Sequence, residues 1–342
     1  MSSDVTFAPI TVDGADVDRV EEPATVEELR ELLHDVGADG ASALIAGGRT
    51  RTAFGNLGGP FDLAISTRRL NRVIHYEPDD MTLAVEPGCT IADIARLLDD
   101  QGQMIALDVA HPMRATIGGS YATGMSGPRR LGGGSLKDWV IGVEVAGIGG
   151  AVAKAGGMVV KNVTGFDMMH LHYGALGAFG VVARLNLKVF PRSGASRSVI
   201  LGFRDSADAH AASVALLRSQ LQPSSLLVSN DDGWQLAVRC DAPESAIARV
   251  AERVVETASS ATKPDGHDVL DDGTAALVPF LRITDLSASR IVARLPVPAS
   301  RQAAALRQIE AFDPVDVCAD VGSGLVFLAL SDGRGVPESV SR

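Results

Sequence analysis

Aromatic residues make up only 4% of this sequence, so its core has to be built from Val, Ile, Leu and Ala. No apolar run approaches the roughly 18 residues of a membrane-spanning helix. The opening MSSDVTFAPI lacks the basic and apolar regions of a secretory signal. The expected location is therefore the cytoplasm, with the inner face of a membrane reached only through partners. Cysteines are few, odd in number and far apart (Cys89, Cys240, Cys318), which excludes a disulfide framework and metal-type spacing and leaves buried reduced thiols. Basic charge is in deficit, 31 Lys and Arg against 42 Asp and Glu, a formal net charge of −11. Nucleic acid and anionic membrane are poor partners for such a chain, and any phosphate site must come from local amides and local cations. Two phosphate-binding signatures are missing as well. Neither G-x-x-x-x-G-K-[ST] nor G-x-G-x-x-G occurs, so a Walker loop and a Rossmann fingerprint are both excluded.

What the sequence has instead is glycine, and nearly half of its 36 glycines fall between Ala115 and Leu187. Glycine costs conformational entropy, so such density implies turns needing positive φ or backbone lying close against something. Small polar residues and a few cations (Arg129, Arg130, Lys137, Lys161) alternate with these glycines. The pattern suits a large, flat, anionic ligand such as a dinucleotide.

A length of 342 residues suggests two domains. Thr25 and Glu28 form a capping box ahead of Val26, Leu29, Leu32, Leu33 and Val36 at helical spacing, with Gly37 as the stop. SALIA is a short strand running into GGRTRTAFGN (Gly47–Asn56). There Arg49, Thr50, Arg51 and Thr52 can join successive N–H groups in a phosphate cradle, or the stretch is a plain surface turn. NRVIHYE and MTLAVEPG form a hairpin around Pro78-Asp79-Asp80. Thr90 and Asp93 start a second helix. Ala115–Gly119 reads as a tight turn, WVIGVEV and GAVAKAGGMVV as a hairpin, and Ala178–Phe190 as a strand. After the boundary FPRSGAS the texture changes to β-α-β-β-α, a split βαβ layer with KPDGHD as a loop, followed by RIVARLP, a helix, VDVCADV and LVFLAL. Glycines are sparse there, as in a cap or partner-binding domain. The fold class is α+β, with an expected division at residues 18–192 and 193–342.

Four stretches, in order, resemble the FAD-binding PCMH-type family, also called the vanillyl-alcohol oxidase type. They are Gly47–Asn56, Leu70–Gly88, Ala115–Arg130 (ATIGGSYATGMSGPRR) and Lys161–Gly180 (KNVTGFDMMHLHYGALGAFG), spanning roughly residues 20–190. GPRR, the Lys137-Asp138 pair and KNV-x-G-[YF]-D are similar to the E-subunit branch of bacterial glycolate oxidases. The resemblance implies a two-subdomain FAD-binding domain followed by a shortened α+β cap. It places Gly47, Gly48, Arg49, Thr50, Arg51 and Thr52 around the FAD pyrophosphate, with Pro87, Gly88 and Thr90 on the nearby wall. Thr116, Gly118, Gly119, Ala122 and Thr123 would lie along the flavin and ribityl chain, and Gly174, Gly177 and Val181 near the adenine half. Lys161 and Asn162 join the set, and Asp167 either does so or only holds its loop. The implied partners are a D-type flavoprotein subunit and an iron–sulfur subunit, and the implied substrate is a small 2-hydroxy acid. The alternatives are a self-sufficient FAD oxidoreductase acting on another small substrate and a non-catalytic assembly subunit.

Departures from the family pattern matter. The pyrophosphate loop has no His, so the FAD is expected to be non-covalent. The late His-containing metal and base motif of the catalytic relatives corresponds here to Asp320–Gly324, which has no His, and no metal site is expected. A closing Phe-Asp-Pro element recurs only at Ala311–Pro314, in a different context. His111, His170 and His172 could each approach the flavin but read first as structural or surface residues, and Arg129 and Arg130 either grip a carboxylate or serve the FAD or subunit contact.

Overall fold

A computed structural model describes residues 10–12, 15–55, 60–158, 168–286, 290–310 and 315–331. The chain divides into two compact units. The first takes the residues up to Ile105, His111–Met125 and Ser135–Arg192; the second takes Ala106–Ala110, Ser126–Gly134 and the residues from Ser193 on.

In the first unit, Thr25 caps α1 (Val26–Asp39) by accepting a hydrogen bond from Glu28 N at 3.1 Å, while the Glu28 carboxylate reaches back to Ala24 N at 2.7 Å. The helix continues past Gly37 and ends at Gly40, whose φ of +64° is the left-handed conformation of a helix C-cap. Gly37 is small for another reason: a Cβ there would lie 2.5 Å from the Ile148 carbonyl oxygen. Leu29, Leu33 and Val36 line the buried face of α1 and pack with Leu63, Ile65, Ala146 and Val181. Two strands, β1 (Ala43–Ala46) and β2 (Leu63–Ser66), run parallel, with Val20–Glu21 on the far side of β2. An antiparallel sheet follows, in the order β6 (Val152–Gly156), β5 (Val140–Ala146), β7 (Val181–Lys188), β4 (Thr82–Val85), β3 (Val73–Glu77). α2 (Ile91–Asp99) is capped by Thr90, and Gly102 turns the chain after it.

Ala115–Gly119 is not a free-standing turn. Thr116 accepts from Gly119 N at 3.2 Å and so caps α3 (Ile117–Thr123). The cap overrides two glycines that sequence propensity counts against a helix.

The second unit is a seven-stranded antiparallel sheet. Its order is β11 (Gly266–Leu270), β8 (Ala195–Phe203), β10 (Trp234–Ala242), β9 (Ser225–Ser229), β13 (Val315–Asp320), β14 (Leu325–Ser331), β12 (Arg290–Pro296). α4 (Ser206–Arg218), α5 (Ile247–Ala261) and α6 (Ala299–Ile309) bury their apolar faces against alternate residues of these strands, including Leu201, Val228, Val238 and Ala319. Half of the KPDGHD stretch is strand: Gly266 to Leu270 pair with β8 as an exposed edge. Its polar composition hides the strand, because an edge strand with no buried face needs no alternation. The stretch Ala311–Pro314 lies outside the described residues. Both units combine helices with antiparallel sheet, an α+β architecture.

Candidate cofactor site

Parallel strands deliver ligand-binding loops from their carboxyl ends, and β1 ends at the Gly47–Thr52 loop. Thr67, just after β2, ties to this end through its N–H and hydroxyl, both on the Ala46 carbonyl (2.9 and 3.4 Å). The loop presses against its neighbours. A Cβ on Gly47 would sit 2.3 Å from Thr116 Oγ1, and one on Gly48 would sit 1.7 Å from the Arg114 carbonyl oxygen. Arg49 is left-handed (φ +56°), which costs a non-glycine residue about 1–2 kcal/mol. A left-handed residue inside such a loop turns successive N–H groups toward one point, the geometry of an anion nest.

The opposite wall is α3. Gly118 packs against Pro87, where a Cβ would come within 2.4 Å of the proline Cβ. A third wall is the 172–182 segment, tied to α3 by Gly174 N to the Tyr121 carbonyl (3.0 Å) and Leu176 N to the Ala122 carbonyl (2.9 Å). Leu176 is also left-handed (φ +54°) and lines the cleft, as Arg49 does. Backbone strain of this kind persists where the surrounding structure holds it, commonly at ligand sites.

The three walls enclose about 1060 Å³ of empty space, part of it open to solvent. Of the residues singled out from sequence, Gly47, Gly48, Arg49, Thr50, Arg51, Thr52, Pro87, Thr116, Gly118, Gly119, Ala122, Thr123, Gly177 and Val181 line it together. Gly174 stands behind the wall, with its Cα against Gly124. Gly88 and Thr90 line a separate depression, and Lys161, Asn162 and Asp167 lie outside the described residues. The cleft also takes in Ser120 and His172 from the quoted motifs, and Leu44, Ile45, Phe54, Leu176 and Val182, whose apolar side chains give no signal of a site in the sequence. His170 and His172 belong to one turn of helix, Met168–His172, not to an extended segment. Burial pushes His172 below the ordinary imidazole value, which keeps it neutral.

The Leu70–Gly88 motif acts behind the cleft. Glu86, 1% exposed, accepts from Arg72 N (2.8 Å) and from its guanidinium Nε and Nη2 (3.1 and 2.7 Å). Gly88 N donates to the Leu70 carbonyl at 2.7 Å, and a Cβ on Gly88 would lie 2.3 Å from the Thr67 carbonyl oxygen. This clamp fixes Pro87, and through it Gly118.

The residues present suit a dinucleotide: main-chain donors, the hydroxyls of Thr50 and Thr52 and the Arg49 and Arg51 guanidiniums at one end, aliphatic side chains for flat rings elsewhere. A family described as a FAD binding domain matches residues 17–156. Those residues belong to the FAD-binding PCMH-type family. The chain is 32% identical over 178 residues to glycolate oxidase subunit GlcE of Escherichia coli, covering 52% of this chain and 49% of that relative. It is 29% identical over 167 residues to a D-2-hydroxyglutarate dehydrogenase of Xanthomonas citri, covering 49% of this chain and 35% of the relative. With glycolate oxidase subunit GlcD of Bacillus subtilis it shares 25% over 210 residues, 61% of this chain and 44% of the relative. The chain thus spans half or less of the length of these relatives. Its fold matches an alkyldihydroxyacetonephosphate synthase structure with a TM-score of 0.73 at 14% identity, over 92% of this chain and 67% of that one.

In the second unit, Arg129 donates from Nε to Asp108 Oδ1 at 2.6 Å and from its backbone N to Oδ2 at 3.0 Å. Asp108 and Asp320 are both buried. Asp320 accepts from Ser323 N at 3.2 Å and from the Ser323 hydroxyl. Burial lifts its carboxyl to about 7, against the opposing pull of the Ser323 donors and Arg130. Burial also pushes the Cys89 and Cys240 thiols up to about 12 and raises Cys318 well above its ordinary value, so none is a thiolate nucleophile at neutral pH. Among the described residues no cluster of three or more His, Cys, Asp or Glu is placed to hold a metal ion, and no helix is long and apolar enough to cross a membrane.

Proposed function

We propose that this chain is an FAD-dependent oxidoreductase subunit of the 2-hydroxy-acid group, holding FAD non-covalently within a glycolate oxidase or dehydrogenase complex. The observation that carries the reading is the cleft formed by Gly47–Thr52, α3 and the 172–182 segment, in a chain whose relatives are named as glycolate oxidase subunits and D-2-hydroxyglutarate dehydrogenases.

FAD, when bound, supplies the hydride acceptor for oxidation of a hydroxyl-bearing carbon. The chain's own residues bind and orient. The Gly47–Thr52 N–H groups and the Arg49 and Arg51 guanidiniums meet the pyrophosphate, charge-assisted donors being the strong ones. The backbones of Gly118 and Gly119 admit close approach, and Leu44, Ile45 and Val182 exclude water from the aliphatic end. His172, kept neutral by burial, offers a hydrogen bond without a charge.

The reading as one subunit among several rests on the late loop. Taking a proton from a hydroxyl during hydride loss calls for a base near neutral pH. Asp320–Gly324 has no histidine, and its one carboxyl, Asp320, though lifted to about 7, is 2% exposed with both oxygens taken by Ser323, out of a substrate's reach. A D-type flavoprotein and an iron–sulfur subunit are the proposed partners, with the former contributing the base.

Visible absorbance of the protein purified alone, before and after acid precipitation, tests the cofactor claim. A flavin spectrum that moves into the supernatant is expected. Flavin retained in the pellet would refute the non-covalent assignment, and a colourless chain that takes up no added FAD would refute the cofactor. Substantial glycolate oxidation with a dye acceptor and no partner would refute the division of labour.

A further inference from the structure

Next to the cofactor cleft, across the β-bridge between Thr90 and Thr116, lies a second depression of about 590 Å³, part of it open to solvent. Arg68, Asn71, Arg114 and Thr116 bring polar donors to it, Thr90 donates its hydroxyl to Asp93 at its edge, and Val73, Ile94 and Met113 give it apolar walls. Among the described residues neither Arg68 nor Arg114 has an ion-pair partner. Their charges also act on Arg49 in the adjoining cleft, with Glu22 as the acid that opposes them. A chain of net charge −11 has therefore gathered two guanidiniums without ion pairs around one hollow, with Asp93 as the acid on its lining.

We propose that this depression is an anion site distinct from the cofactor cleft, and that it takes the carboxylate of a short-chain acid. The planar fork of a guanidinium matches a carboxylate in two parallel hydrogen bonds. The choice of carboxylate over phosphate rests on two features. Asp93 also faces the depression, which disfavours a doubly charged anion. Val73, Ile94 and Met113 suit a short carbon chain, which inorganic phosphate lacks. Thr116 lines both hollows, so an acid held here stands one residue from the cofactor wall. The proposal deepens the proposed function, and rests on it only for which acids are tried first.

Calorimetric titration of the full chain, FAD-loaded and FAD-stripped, with glycolate, lactate, acetate and inorganic phosphate tests it. The carboxylates are expected to bind the FAD-loaded chain, and Arg68→Gln and Arg114→Gln each to weaken them about 10-fold with the flavin spectrum unchanged. Arg114→Lys, which keeps the charge and loses the fork, is expected to fall between. Unchanged carboxylate affinity in both Gln variants would overturn the proposal. So would expulsion of phosphate and carboxylates together by one equivalent of FAD, since the depression would then belong to the dinucleotide. A chain that takes up no FAD would sink the cofactor reading alone, and the same Gln variants then decide the anion site on that chain.

Discussion

Asp320→Asn should make the second unit less sensitive to pH, and the size of the effect follows from where the residue sits. Asp320 ends β13 with 2% of its surface exposed. Its carboxyl is lifted from 3.8 to about 7, by burial first and by the neighbouring Asp108 charge; the Ser323 donors and Arg130 work against the rise. In the unfolded chain the carboxyl loses its proton near pH 4, whereas the folded protein holds it to about pH 7. Between these values the folded state binds more protons, so stability falls by about 1.4 kcal/mol for each pH unit gained. The full effect is roughly 4 kcal/mol, of which about 2.5 kcal/mol falls between pH 5 and pH 8. Asparagine keeps an oxygen acceptor for Ser323 and removes the titration. The two tryptophans divide conveniently: Trp139 belongs to the first unit and Trp234 to the second. Urea unfolding in a Trp139→Phe background, read by Trp234 fluorescence, therefore isolates the relevant transition. The variant should gain on the wild type by about 2.5 kcal/mol on going from pH 5 to pH 8. Wild-type and variant stabilities that stay parallel over that range would refute the argument.

Three further outcomes are expected. Gly48→Ala forces a Cβ to within 1.7 Å of the Arg114 carbonyl oxygen, so the loop must move; FAD titration by fluorescence quenching should show at least a ~10-fold loss of affinity, with the circular dichroism spectrum unchanged. Thr116→Val removes the cap of α3 and should cost about 1 kcal/mol in thermal unfolding of the first unit, as well as weakening FAD. His210 is held below 6.5 by burial, so the unfolded chain takes up the proton first and stability is lost as pH falls through that range; His210→Gln should flatten unfolding curves below about pH 6.5, the opposite limb from Asp320.

Much of the lining of the candidate cleft was legible because its signals are local. A strand running into Gly47-Gly48-Arg49 and a Thr ahead of small residues at 116–119 are read without knowing what they face. The capping box at Thr25 and the hairpin of β3 and β4 are equally local. Harder were features that depend on a distant partner. Gly37 looked like a helix stop because its role, close approach to Ile148, is set by a residue 111 positions later. The edge strand β11 was hidden because nothing buries either of its faces, so no hydrophobic period marks it. The lining of the cleft by Leu44, Ile45 and Val182 was invisible for the same reason: ordinary core-type residues become a site only when three segments meet.

GPRR shows how such distance changes a functional assignment. From sequence, Arg129 is a candidate grip for an acid's carboxylate. In the structure Asp108, 21 residues earlier, already holds it through Nε and the backbone N–H, with Gly127 packed so closely that a Cβ would lie 2.1 Å from Asp108 Cβ. Both segments that carry this pair, 106–110 and 126–134, fold with the second unit, while the residues between them fold with the first and supply α3. The clamp thus belongs to the folding of the second unit, and it engages Arg129 Nε with Asp108 and Nη2 with the Leu107 carbonyl at 3.5 Å. In the proposed anion site, Arg68 and Arg114, which form no ion pair among the described residues, take the role of carboxylate grip instead. Removing Asp108's charge with Asp108→Asn should therefore destabilise the second unit by roughly 1.5–3 kcal/mol, the worth of hydrogen bonds to a charged group, Arg129 being part-exposed. It should leave carboxylate affinity at the Arg68–Arg114 depression unchanged; a parallel loss of both would place the acid at Arg129 instead.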